Sequence, residues 1–349
     1  MTEIISHIYQ DNEGHWVIQS NEDHSAGVAK LASQFAGEFG MSEWGKVLGL
    51  LHDKGKETDA FQQYIKKESG YAPDIKICGK HHHAYVGGIL AQKYYGKSSY
   101  NLFVNQIVSH HTGLHDSDEI KGIVDQEIPS EVNIYHKKEK LNRPGLNIQA
   151  NDFHHLARML FSCLVDADFL DTEAFMDRES YTLRQNKDAL NDLLPLLENK
   201  LKELKAKADS SEINIIRNQI QQQCLKMADT PTGFYSLTVP TGGGKTLSSL
   251  VWAIKHAIKN GQKRVIIAIP YTSIIVQTAS ILRSIFGEEN VLEHHSCVDP
   301  EQIKDERQKE KMKLATENWD YPIIVTTNVQ LFESMFSNKP SACRKLHNI

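Results

Sequence analysis

An apolar helical run, Trp44 to Leu51, ends in adjacent His52 and Asp53, and Gly55 turns the backbone before Lys56. A polar or charged group at the buried end of such a helix costs several kcal/mol unless something pairs it. A divalent metal is one such partner. Imidazole nitrogen and carboxylate oxygen together suit Mn, Fe, Co, Ni or Zn, and a carboxylate can bridge two ions. A solvated Asp beside a satisfied core His would explain the pair equally well if it stood alone. It does not, because the chain carries 17 histidines and several are clustered.

Residues 1–23 read as a short polar leading segment with Tyr9 and Trp16. His24 then opens a helix whose face repeats Val28, Leu31, Ala32, Phe35 and Phe39 at helical spacing. A lone His there is more often a cap or a surface residue. Phe61, Tyr64 and Ile65 mark another short helix. The run Lys80-His81-His82-His83 opens a further one, in which Ala84, Gly87 and Gly88 permit close packing. Three consecutive helical side chains diverge by about 100° each, so they cannot all face one site. His83, nearest the small residues, is the candidate. Leu102 to Ser109 is again apolar and ends in paired His110 and His111, with Thr112-Gly113 turning the chain away.

From His115 to about Ala150 the chain turns polar, with Lys137, Lys138, Lys140 and Arg143 before Pro144-Gly145. This reads as a long loop or lid whose charges are solvated. Phe153 to Leu170 is a strong helix with Leu156, Leu160, Phe161 and Leu164 apolar, and it carries Asp166 and Asp168. Two positions on a helix differ by about 200°, so only one of these acids can reach a given metal.

Residues 174–211 are charged and Leu-rich at helical spacing, a connecting helix, and a second domain is expected from 208. A helix over Ile213 to Met227 leads to a strand, Phe234 to Val239, then Pro240-Thr241-Gly242-Gly243-Gly244-Lys245-Thr246 and an apolar helix from Leu247. Strand, glycine loop, Lys-Thr and helix in that order make a phosphate-binding loop. Backbone N–H groups from Thr241 to Gly244 would cradle phosphates, Lys245 would reach the terminal ones, and the Thr246 hydroxyl would bind Mg. Position 239 is Val, where the general pattern has its first Gly. Strands at Arg264–Pro270 and Pro322–Thr327 alternate with helices, which implies a parallel sheet. Residues 299–318 between them read as a solvated helix.

The formal net charge of −5 assigns any nucleic-acid contact to local basic surface. Five cysteines without a C-x-x-C pair fit a reducing cytosol and argue against a thiolate zinc site. The N-terminus lacks a signal-peptide pattern and no apolar run approaches a membrane span, so the expected location is cytoplasmic.

The order His24, His52-Asp53, His83, His110-His111 and an Asp near 168 resembles the HD superfamily of metal-dependent phosphohydrolases. His-Asp-x-Gly-Lys at 52–56 and His-His-x-Gly at 110–113 resemble, more narrowly, the HD nuclease of the type I CRISPR-associated helicase-nuclease family. Thr241 to Thr246 has the superfamily 2 helicase form. Tyr271–Gln277 and Asn328–Glu333 are similar to the nucleic-acid-contacting motifs of those helicases.

The resemblance implies an all-α HD domain over 1–207 and a partial α/β RecA-like helicase domain over 208–349. It implies a ligand scheme in which Asp53 bridges two ions. His24, His52 and an Asp on the last helix would hold one, with Asp168 favoured because Ala167-Asp168-Phe169 resembles the family pattern, and Asp166 otherwise. His83, His110 and His111 would hold the other. Lys56 would stabilise charge developing on the scissile phosphate, and Gln219 would read adenine. The implied cofactors are one or two divalent transition metals (Mn, Co, Ni or Fe), with ATP and Mg at the loop. The implied partners are single-stranded DNA and the RNA-guided surveillance complex (Cascade).

The sequence departs from the family in two respects: no apolar strand ends in Asp-Glu, and a second RecA-like domain is missing. Without those parts neither ATP hydrolysis nor translocation is expected, and a sheet short of its central strand is expected to be less stable. Rival readings are an HD phosphohydrolase acting on nucleotides or cyclic nucleotides, and an adaptor that only binds nucleic acid.

Overall fold

The chain's first described residues pair as an antiparallel hairpin, β1 (Ile5–Gln10) and β2 (Trp16–Ser20), where the sequence suggested only a polar leading segment. The structure, a computed structural model, describes residues 3–79, 81–96, 100–141, 149, 152–184, 187–296 and 305–349. Lys80, Arg143, Pro144, Gly145, Ala150 and Cys297 lie outside the described residues.

The chain divides into two units, residues 1–184 with 333–349 and residues 185–332. In the first, α1 (Asn21–Gly37) packs on α2 (Ser42–Leu51) and on α7 (Phe153–Met176). Ser20 caps α1 by accepting from the Asp23 amide, which starts the helix one turn before His24. A short helical turn, Lys54–Glu57, leads to α3 (Asp59–Glu68), and α4 (Ala84–Tyr95) and α5 (Asn105–Ser109) follow. Val28, Leu48, Leu51, Leu90, Ile107 and Leu164 meet in one core. Burial of each such aliphatic side chain contributes about 1.5–3 kcal/mol. Gly87 lets α4 approach the Leu51 carbonyl, where a Cβ would overlap, and Gly55 does the same against the His83 backbone.

Two expectations change here. The stretch after His115 is not all loop: at the start of α6 (Ser117–Val124) the Asp116 amide donates to Glu119 Oε2 at 3.2 Å, and the helix buries Ile120 and Val124. Residues 340–349, including α15 (Pro340–Cys343), also belong to this unit. Arg344 Nε donates to Asp166 Oδ1 at 2.8 Å, and the His347 amide donates to Ser162 Oγ at 3.0 Å. After α7 the unit's first stretch closes with α8 (Arg178–Leu183).

In the second unit a three-stranded parallel sheet has the order β3 (Val265–Ile269), β5 (Ile323–Thr327), β4 (Val291–His294). The central strand is the most buried, with Ile323, Ile324 and Val325 fully enclosed. The helix expected to connect the domains, α9 (Leu190–Lys207), instead packs inside this unit. Its stripe Leu190, Leu193 and Leu197 joins the core of α11 (Lys245–Lys259) and α12 (Thr272–Phe286). The boundary therefore falls before that apolar stripe, near 184, rather than at 207.

Helices α10 (Glu212–Met227) and α13 (Glu306–Asn318) stand where the sequence placed them, and the division between units falls within α14 (Asn328–Phe336). The expected strand Phe234–Val239 does not form. A strand exists only through its ladder, and these residues make none while Phe234 and Leu237 face solvent. No helix among the described residues is long and apolar enough to cross a membrane.

Candidate metal centre

The centre is assembled from helix ends. The first turn of α1 delivers His24 and the end of α2 delivers His52 and Asp53. His83 caps α4, so the three consecutive histidines precede that helix rather than ride on it. His81 stacks on Tyr64 with ring centroids 4.3 Å apart, away from Asp53. His110 and His111 follow α5 directly.

Asp53 is the hub. Its Oδ2 lies 3.3 Å from both His24 Nε2 and His52 Nε2. Its Oδ1 lies 3.2 Å from His83 Nε2 and 3.3 Å from His110 Nε2. Asp168 Oδ1 sits 3.3 Å from His24 Nε2 and 3.7 Å from His52 Nε2. His111 Nε2 approaches His83 Nε2 at 2.9 Å. Two overlapping tetrads result, His24/His52/Asp53/Asp168 and Asp53/His83/His110/His111, each with ligand atoms within 4.8 Å of one another. Asp166 points the other way along α7, to Arg344, as the two-position offset requires.

The ring orientations are set from outside. Carbonyl and carboxylate oxygens only accept, so His52 Nδ1 donates to Gly49 O (2.8 Å), His110 Nδ1 to Ile107 O (2.6 Å) and His24 Nδ1 to Asp171 Oδ2 (2.8 Å). Each Nε2 is thereby the atom aimed at Asp53. His24 and His52 are fully buried and Asp53 is 1% exposed. Yet His24 Nε2, His52 Nε2, His110 Nε2 and both Asp53 oxygens make no directed hydrogen bond. Lys56 answers only Asp53 Oδ2, at 2.6 Å; three imidazole nitrogens and Asp53 Oδ1 converging beside it are costly unless a further cation sits among them. The residues present fit divalent ions with mixed nitrogen and oxygen ligands.

The electrostatics agree. Burial works against protonating His24, but Asp168, Asp171 and Asp53 outweigh it and raise its pKa to about 10. At His52, burial is likewise outweighed, by Asp53 and Asp168, and the pKa rises to about 9. Burial would raise the Asp53 and Asp168 pKa values, but the surrounding histidines, with Lys56 for Asp53, hold both carboxyls well below the usual range. This half of the centre attracts positive charge. The other half differs: burial, then the His110 and His83 charges, push His111 down to about 3, and burial lowers His83.

Lys56 is buried. Its Nζ donates to Ser6 Oγ at 3.0 Å and lies 2.6 Å from Asp53 Oδ2, so it neutralises the hub carboxylate rather than standing open to a phosphate. Sequence reasoning missed the supporting residues: Asp171, Gln19, Ser6 and His7. His7 packs edge-on against His24 with centroids 4.7 Å apart, and burial with the Lys56 charge lowers its pKa to about 3. Asp171 stands three positions after Asp168, on a neighbouring stripe of α7, but nothing in the sequence pairs it with His24.

In the second unit, Gly242 and Gly244 adopt left-handed backbone conformations (φ 84° and 78°), which only glycine takes freely, and Gly244 caps α11 at Lys245. Thr241, Gly242, Gly244, Lys245 and Thr246 are exposed, while Gly243 packs against Val239. Gln219 is exposed on α10. The α10 residue that reaches the loop is Arg217, whose Nε donates to Gly242 O at 2.8 Å.

Residues 21–144 match the HD domain family, and residues 218–349 match the DEAD/DEAH box helicase family. No curated protein matches the sequence. Among solved structures, T. fusca Cas3-AMPPNP and Cas3-ATP each superpose with a TM-score of 0.58 at 14% identity, covering 97% of this chain and 45% of that chain. T. fusca Cas3 itself gives 0.55 at 13% identity, covering 97% and 46%. The chain thus spans less than half the length of those proteins, and at such identity the likeness is one of fold. By sequence match the chain carries an HD domain followed by a DEAD/DEAH box helicase domain, and its fold is similar to that of T. fusca Cas3.

Proposed function

We propose that this chain is the nuclease part, with some of the helicase, of a type I CRISPR-associated nuclease-helicase, and that its HD centre hydrolyses phosphodiester bonds in single-stranded DNA. The observation that carries the reading is the pair of tetrads sharing Asp53, where three buried imidazole nitrogens and Asp53 Oδ1 are left without a hydrogen bond. His24, His52, Asp53 and Asp168 would hold one divalent transition ion, and Asp53, His83, His110 and His111 the other. Bound there, such ions supply an acidified water and positive charge for an in-line displacement at phosphorus.

The chain's own residues do the rest. Asp53 turns one oxygen to each half of the centre, and Lys56, 2.6 Å from Oδ2, offsets its charge and fixes its plane. Gly49 and Ile107 carbonyls hold His52 and His110 in the tautomer with Nε2 free to ligate. The loop Thr241–Thr246 is read as an ATP and Mg site, with Lys245 on the phosphates and Thr246 on the ion. The surveillance complex Cascade as recruiting partner, and the cytoplasm as location, belong to the same reading.

The test is cleavage of circular single-stranded DNA by the chain with Mn, Co, Ni, Mg or chelator, beside His52→Ala and Asp53→Ala. Transition-metal-dependent cutting that both substitutions abolish is the expected result. Intact DNA in every metal, with hydrolysis of a nucleotide or cyclic nucleotide instead, would replace the substrate.

A further inference from the structure

The half-buried carboxylate Asp171, on α7, takes no part in either tetrad, yet its Oδ2 lies 2.8 Å from His24 Nδ1. Gln19 Nε2, from β2, donates to the same oxygen at 2.9 Å. The carboxylate is thus held from one side and presses on His24 from the other. Its second oxygen lies against Gly27, one turn along α1 from His24, where a Cβ would overlap it. Three separate elements therefore shape a seat for one carboxylate behind one ring. Gln19 precedes and Asp171 follows the residues that match the HD family, 21–144.

Resting on the metal reading above, we propose that Asp171, seated by Gln19 and Gly27, is a positioning residue that fixes the ring plane and the Nδ1–H tautomer of His24 and makes its Nε2 a stronger donor. A ring left to choose its own tautomer presents a lone pair at Nε2 only part of the time. A carboxylate on Nδ1 removes that choice and adds electron density to the ring. The other two oriented histidines use neutral backbone carbonyls, so His24 is the one with a charged orienter.

The experiment titrates Co(II) into the metal-free chain, following visible absorption and heat, for the wild type, Asp171→Asn and Gly27→Ala. The His24 Nδ1–H resonance is recorded by 15N-edited NMR. Asp171→Asn should weaken one of the two binding events about 10- to 100-fold and leave the other unchanged. Gly27→Ala keeps Asp171 and improves helix propensity, but its Cβ displaces the carboxylate, so it should reproduce the same selective loss and move the same proton signal. A purely structural role would instead weaken both events together or lower the thermal midpoint alone, and that would overturn the proposal. Unchanged affinities and an unmoved Nδ1–H signal in Asp171→Asn would overturn it too, while leaving the metal reading intact. If the wild type takes up no Co(II), the metal reading itself fails.

Discussion

At the HD centre the polar groups are buried before any ligand arrives, whereas at the loop Thr241–Thr246 they face solvent. The first arrangement spends folding energy to hold His24, His52 and Asp53 buried and aimed inward, so a cation would enter a field already strong. The second spends little: two glycines accept unusual backbone angles, and the ligand must bring its own counter-ion. A site of the first kind depends on every supporting side chain. One of the second kind depends on backbone shape and a single lysine.

The largest test of this contrast is Asp53→Ala. It removes the hub from both tetrads, so metal-dependent cleavage should fall to background. In chelator, the loss of the buried counter-charge beside His24, His52 and Lys56 should cost about 3–5 kcal/mol in urea unfolding. A variant that keeps its stability would show that the buried field is weak. Next in size, Lys245→Ala should reduce nucleotide affinity about 10- to 100-fold, as loss of a charged hydrogen bond does, while leaving metal-dependent DNA cleavage unchanged. Reduced cleavage would break the separation between the two sites.

The pH dependence sharpens the contrast. His24 and His52 titrate at about 10 and about 9 in the folded, metal-free chain, above the ordinary 6.5. Their contribution to stability without metal is complete below pH 6.5 and disappears as pH rises through 9 and 10. Metal must displace those protons, so apparent affinity should climb by up to about tenfold per pH unit for each proton released, from neutrality toward pH 9. Calorimetry in buffers of different ionisation heat counts the protons directly. Affinity that is flat with pH would mean that the two histidines are neutral without metal. The smallest effect is local: Ser20→Ala removes the cap that starts α1 and should cost about 1 kcal/mol, read as a lower thermal midpoint with both metal events retained.

What the sequence disclosed follows the range of the interactions. His52 and Asp53 were legible because they are neighbours at the end of an apolar run, and the ligands far from them in sequence emerged only as an ordered set. Asp171 was not legible as a partner of His24, because the contact joins residues 147 apart and neither local pattern signals it. The polar charged run between two strands marked α13, but polarity also hid α6, whose apolar residues are few and whose real signal was the spacing of Asp116 and Glu119. The segment Phe234–Val239 shows the opposite failure: β-type residues specify a strand only where a neighbouring backbone is there to pair with. Four residues, Val291 to His294, were too few to stand out as β4.

The return of residues 333–349 to the first unit has a consequence in time. Asp166 is made early, but the guanidinium that pairs with it sits at position 344, after the whole of the second unit. Across the 178 residues between them, at about 5–20 residues per second, the wait is roughly 9 to 36 seconds. The first unit therefore cannot close this contact until the whole of the second unit has been synthesised.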